Sequence, residues 1–169
     1  RGYLTQAWPS EYGGKDLPLM QQVLFQEEQA MARAPHRDLT TSINIVAPTV
    51  MVYGTDEQKR RFLPPISKGE HVYCQGFSEP EVGSDLASLQ CSAVRDGDDY
   101  IVNGSKIWTS GAHRSTHCIL LTRTDPNVPK HKGISMFLVP MDMPGITIRP
   151  IRDPNDVHYF NQVFFDNVR

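Results

Sequence analysis

Beyond Lys68-Gly69 the sequence falls into seven short β-forming runs, each closed by turn residues, with no helical segment between them. The runs are His71 to Ser78, Leu89 to Arg95, Tyr100 to Val102, His117 to Thr122, Ile134 to Val139, Ile146 to Pro150 and Val163 to Phe165. Strands in this order with no intervening helices predict an antiparallel β-barrel or sandwich. Asp96-Gly97-Asp98 and Asn103-Gly104 carry hairpin-turn chemistry, because Gly, Asn and Asp tolerate the positive φ of tight turns. Asn103-Gly104-Ser105 also matches a glycosylation sequon, and the turn reading is preferred.

The first seventy residues follow a helical pattern instead. Asp16, with Pro18 just after it, is the expected N-cap of a helix running to about Arg33, along which Leu17, Met20, Leu24 and Met31 form a stripe broken by Glu27 and Glu28. Leu39 to Tyr53, with Pro48 inside and Gly54 at its end, predicts a kinked or broken helix. Thr55-Asp56-Glu57-Gln58 is a capping box opening a short helix that Pro64 and Pro65 are expected to stop. The fold class expected is α+β. Residues 1–70 form part of a helical domain and residues 71–169 a β-barrel domain, with no internal repeat.

Several function classes lose their footing on composition. A hydrophobic share of 39% supports a folded core rather than disorder. Seventeen Lys and Arg against nineteen Asp and Glu give a formal charge of −2, so no overall field favours nucleic acid. Wholly apolar runs such as Met136 to Val139 fall far short of the roughly 20 residues of a membrane span. The start at Arg1 and the end within a strand-like run suggest a piece of a longer chain.

Cys74, Cys91 and Cys118 form no C-x-x-C pair and are read as buried free thiols suited to a reducing compartment. His113 and His117 are four apart, but a Gly precedes them and a strand follows, so no metal site is expected. Lys59-Arg60-Arg61 and Lys130-His131-Lys132 are read as solvated charge. Neither common phosphate loop nor a nucleophile elbow occurs.

Two segments carry chemistry that packing does not explain. Gln75-Gly76-Phe77-Ser78-Glu79-Pro80-Glu81-Val82-Gly83-Ser84-Asp85 is a strand entering a loop that can offer hydroxyls and backbone N–H groups to a polar edge. Lys106-Ile107-Trp108-Thr109-Ser110-Gly111 sets a Trp beside two hydroxyls, a combination suited to a planar heterocycle.

In this order and spacing, the two segments resemble those of the flavin-dependent acyl-CoA dehydrogenases. The most specific parts are Phe77-Ser78-Glu79-Pro80 with Gly83-Ser84-Asp85, and Asn103-Gly104-x-Lys106-x-Trp108. The resemblance extends to Tyr12-Gly13-Gly14, Gln26-Glu27-Glu28, Tyr53 to Lys59 and the tail from Asn161. It implies FAD as cofactor, with Gln75, Gly76, Phe77, Ser78, Gly83, Ser84, Trp108, Thr109 and Ser110 at flavin-binding positions and Ser84 also at an acyl-CoA position. Glu81-Val82 stands where the family more often has small residues, and Thr109 replaces a common Ile.

The activity implied is α,β-dehydrogenation of an acyl-CoA thioester to the trans-2-enoyl-CoA, as in β-oxidation, with electrons passing to an electron-transfer flavoprotein. The family's catalytic base is expected beyond Arg169, so no catalytic residue is assigned and Glu79 is not that base. A tetramer or dimer in the bacterial cytoplasm or mitochondrial matrix is implied, without nucleic acid or membrane span. The alternatives are a flavin-dependent oxygenase of the same fold or a non-catalytic subunit of that fold.

Overall fold

The computed structural model describes residues 3–34 and 39–169. The chain divides into two compact units, residues 1–72 and residues 73–169.

Among the described residues the first unit holds three α-helices. Helix α1, Leu19–Met31, begins after Pro18 rather than at Asp16. Asp16 instead has φ 49° and accepts a hydrogen bond from the Ser10 amide at 2.9 Å, closing the preceding turn. No residue of α1 is buried.

The expected break near Pro48 takes a defined form. A π-helical turn, Ser42–Val46, passes directly into α2, Ala47–Tyr53. Pro48 lacks an N–H and crowds the preceding turn, and the wider π turn accommodates it. The Thr49 hydroxyl donates to Ile45 O at 2.7 Å.

Helix α3, Asp56–Ser67, opens on the expected capping box, with Thr55 Oγ1 accepting from the Gln58 amide and Gln58 Oε1 from the Thr55 amide. The prolines do not stop it: Pro64 and Pro65 lie inside the helix. The two N–H groups they remove would have met the carbonyls of the exposed residues Arg60 and Arg61, which water can satisfy. Leu63 and Ile66, buried with Val46, Ala47 and Val50, keep the last turn seated.

All seven expected β runs form strands in the second unit. They are β1 Tyr73–Gly76, β2 Ser92–Asp96, β3 Asp99–Lys106, β4 His117–Arg123, β5 Ile134–Pro140, β6 Ile146–Arg152 and β7 His158–Val168. Their order is β1-β4-β2-β3-β7-β6, with β5 paired to β4. The sheet is mixed, which corrects the antiparallel expectation. β1 runs parallel to β4 from Tyr73↔His117 to Gly76↔Leu120, and β2 meets β4 in parallel at Ser92↔Arg123. The long loop after β1 and the β2–β3 hairpin carry the chain round before β4 pairs with β1, so these neighbours are not joined by a hairpin.

A second correction concerns Asn103-Gly104. The β2–β3 turn falls at Gly97-Asp98, while Asn103 and Gly104 lie inside β3. There Val102 pairs with Val168 but Gly104 pairs with Phe165, so β7 carries one extra residue opposite them. Asn167, in the bulge, has φ 50°, and Asn103 Oδ1 accepts its amide at 2.9 Å in place of a ladder bond.

The core of this unit gathers Cys74, Cys91 and Cys118 with Val102, Leu120, Val139, Val163 and Phe165. All three cysteines are free. Burial pushes the Cys91 thiol up to about 11, and hydrogen bonding with Cys74 together with burial raises Cys118 well above the ordinary thiol range. Neither is a thiolate nucleophile at neutral pH. Thr122, also fully buried, has a hydroxyl with no hydrogen-bond partner among the described residues. Thr122→Val removes that unsatisfied group at nearly constant shape and is expected to raise stability by about 1 kcal/mol in urea unfolding.

Candidate functional site

The two chemistry-bearing segments meet at the end of β3. After β1 the chain turns tightly at Glu79-Pro80-Glu81-Val82, where Glu79 and Val82 exchange backbone hydrogen bonds at 2.8 and 3.0 Å. The Ile107 amide donates to Ser78 O at 2.9 Å, bringing Ser78 beside the residue that precedes Trp108.

An ion pair underlies this junction. Lys106 Nζ lies 2.8 Å from Glu79 Oε1, both side chains being essentially out of solvent. The ammonium also donates to Phe77 O at 3.2 Å. The carboxylate accepts the Gln90 and Cys91 amides at 2.6 and 2.8 Å. Three donor contacts on one carboxylate explain how a charge stays buried, and they leave Glu79 a structural tie rather than a base.

Trp108 follows at φ 58°, a left-handed conformation that costs a non-glycine residue about 1–2 kcal/mol. Its indole remains 57% exposed and meets Phe160 edge-on, with ring centroids 6.1 Å apart. Neighbouring bonds hold the strained residue. The Thr109 amide donates to Asn161 O, Asn161 Nδ2 donates to Thr109 O, both at 2.9 Å, and the Gly111 amide donates to Tyr159 O at 2.8 Å. Asn161 is fully buried. Its Oδ1 lies 2.8 Å from His158 Nε2 and its Nδ2 lies 3.2 Å from His113 Nδ1. The two imidazoles stack with centroids 3.9 Å apart.

The residues singled out from sequence divide into three groups. Ser78, Trp108 and Ser110 stand where the segments meet. The hydroxyls of Ser78 and Ser110 take no hydrogen bond among the described residues, and Ser110 is exposed. Gly83 and Ser84 are exposed farther along the loop, as is Gln75 on β1, and a Cβ at Gly83 would meet nothing within 4 Å. Gly76, Phe77 and Thr109 form the support. A Cβ on Gly76 would lie 2.8 Å from Cys118 Sγ, and Phe77 lends its carbonyl to Lys106. Thr109 has both backbone groups engaged by Asn161, and its own hydroxyl is enclosed without a partner among the described residues.

Lys106 and Asn161 were not singled out as site residues. Lys106 alternates inward with buried Val102, a position at which a lone Lys signals a buried partner. Asn161 gave no local signal, because the Thr109 backbone it tethers lies 52 positions away.

An exposed aromatic beside hydroxyls that are uncommitted among the described residues fits a planar ring system such as isoalloxazine. Among the described residues no group of three His, Cys, Asp or Glu could hold a metal, and no helix is long and apolar enough to cross a membrane.

Known proteins share the sequence pattern and the fold. Residues 1–70 match the N-terminal domain of acyl-CoA dehydrogenases and residues 74–168 the middle domain. The chain belongs to the acyl-CoA dehydrogenase family. It is 45% identical over 168 residues to acyl-CoA dehydrogenase IpdE1 of Mycobacterium tuberculosis, covering 99% of this chain and 44% of that protein. The solved "Tcur3481-Tcur3483 steroid ACAD" superposes with a TM-score of 0.92 at 42% identity, over 99% of this chain and 43% of that one. A glutaryl-CoA dehydrogenase of Mycobacterium smegmatis in complex with FADH2 gives a TM-score of 0.79 at 29% identity, over 99% and 42%. The chain thus spans less than half the length of these relatives.

Proposed function

We propose that the whole protein is an FAD-dependent acyl-CoA dehydrogenase, and that residues 71–169 supply one wall of its flavin site and part of its thioester site, with residues 1–70 belonging to a helical domain. The observation carrying this reading is the exposed Trp108 indole, held in a strained conformation beside the free hydroxyls of Ser78 and Ser110. A surface aromatic fixed at such a cost is preorganised for a flat partner.

In this reading Trp108 covers the isoalloxazine, Ser78 and Ser110 hydrogen-bond its edge, and Gln75, Gly76, Phe77, Gly83 and Thr109 shape the surrounding backbone. Exposed Ser84 serves both the cofactor and the acyl-CoA. Bound FAD supplies the hydride acceptor for the β-carbon of the thioester. The chain's own part is to orient that acceptor and exclude water from one face; the base removing the α-proton comes from beyond Arg169. Reoxidation falls to an electron-transfer flavoprotein, and the assembly is a dimer or tetramer. The likeness to a steroid acyl-CoA dehydrogenase supports a bulky, ring-bearing acyl group over a short dicarboxylic one.

The test is an anaerobic visible spectrum of the full-length protein before and after saturated acyl-CoAs are added, linear and steroid-bearing. Bleaching of bound flavin by the ring-bearing thioester is expected. A colourless protein that FAD cannot reconstitute overturns the reading, and flavin that ignores every acyl-CoA but reacts with O2 once reduced points to an oxygenase.

A further inference from the structure

We propose that Asn161 is a positioning residue for the flavin-facing segment Trp108–Ser110, an inference that rests on the flavin reading above. Three features of the site lead to it. Trp108 occupies a backbone region that residues other than glycine leave unless their surroundings hold them there. Two of the three bonds that hold it on its downstream side converge on one residue: Asn161 takes the Thr109 N–H with its carbonyl and the Thr109 C=O with its side-chain amide, each at 2.9 Å. The side chain is fully buried, so no water can stand in for it.

The chemistry of the amide is specific to this task. Nδ2 faces the carbonyls of Thr109 and Tyr159, at 2.9 and 3.3 Å, and Oδ1 remains for the imidazole of His158. Only a planar group with a donor on one side and an acceptor on the other meets all of these. An aspartate would turn a carboxylate oxygen toward the carbonyls, and a leucine would leave Thr109 O unpaired. In both cases the backbone bond from the Thr109 amide to Asn161 O can persist, so the sheet forms while the segment loses its second tether. Asn161 thus transmits the position of β7 to Trp108 and Ser110, which face outward on either side of buried Thr109.

The experiment uses the full-length protein with Asn161→Leu and Asn161→Asp. Val139→Ala, in the core of the β unit on β5 and not among the residues assigned to the flavin, serves as the control for general loss of stability. Amide hydrogen exchange of the apoprotein at Thr109 and Gly111 is expected to accelerate at least tenfold in both Asn161 variants beyond any change in Val139→Ala. FAD dissociation constants are expected to rise tenfold or more in the Asn161 variants and to remain near wild type in Val139→Ala. If exchange rises but FAD affinity does not change, Asn161 serves the fold alone and the inference fails. It fails equally if both readouts match the control. Wild-type protein that binds no FAD defeats the flavin reading itself, a result distinct from either.

Discussion

Lys106→Met is expected to cost the full-length protein about 3–5 kcal/mol in urea unfolding, the largest loss of any single substitution considered for the β unit. The methionine fills much of the lysine's volume, so packing is not the main effect. What remains is Glu79, buried and without its countercharge, held only by the Gln90 and Cys91 amides. Phe77 O also loses its donor. Glu79→Gln is expected to be destabilising too, because the neutral amide presents one acceptor oxygen where two backbone amides and an ammonium now converge. The double variant Glu79→Gln/Lys106→Met should lose less than the sum of the two, since neither charge is then stranded. Strict additivity would show that the two groups do not act as a pair. FAD affinity is expected to fall with Lys106→Met as well, because the tie holds Phe77, one residue before Ser78, against β3.

The strands were legible because each contrast between β-forming residues and turn residues is local. Tyr73 to Gly76 and His117 to Arg123 could each be read as strands from their own composition. Their parallel pairing could not, because nothing within either run specifies a neighbour some forty positions away. Local rules also failed where tertiary context outweighed them. Pro64-Pro65 is a strong stop signal, yet burial of Leu63 and Ile66 carries α3 past it. Asp16 looks like an N-cap and instead closes a turn with Ser10.

The site shows the same division. Ser78, Trp108 and Ser110 could be singled out because hydroxyls around an aromatic are unusual in sequence. The groups that hold them could not: Glu79 looked like a loop carboxylate, and the amide of Asn161 resembles any polar residue in a strand. Their significance lies in contacts spanning 27 and 52 positions.

Asn103-Gly104 joins these themes, and Gly104→Ala is expected to cost about 3 kcal/mol or more, from backbone strain and overpacking together. Gly104 has φ 142°, a region that side chains rarely adopt, and a Cβ there would lie 2.7 Å from Cys91 Cα. That atom belongs to the backbone and cannot rotate away. The same Cys91 gives its amide to Glu79, so displacing it disturbs the carboxylate that Lys106 neutralises. Gly97 provides the comparison: it too has positive φ, at 66°, but a Cβ there meets nothing within 4 Å. Gly97→Ala is therefore expected to cost about 1 kcal/mol, from strain alone. Measured in the full-length protein, Gly104→Ala should also weaken FAD binding, while Gly97→Ala leaves it near wild type. Equal losses of stability at the two glycines would mean that the close approach of β3 to Cys91 carries no weight. A turn and a bulge demand the same residues for the same conformational reason; here the extra residue lies on β7, with Asn167 at φ 50°, and the Asn103-Gly104 pair stands opposite it inside β3.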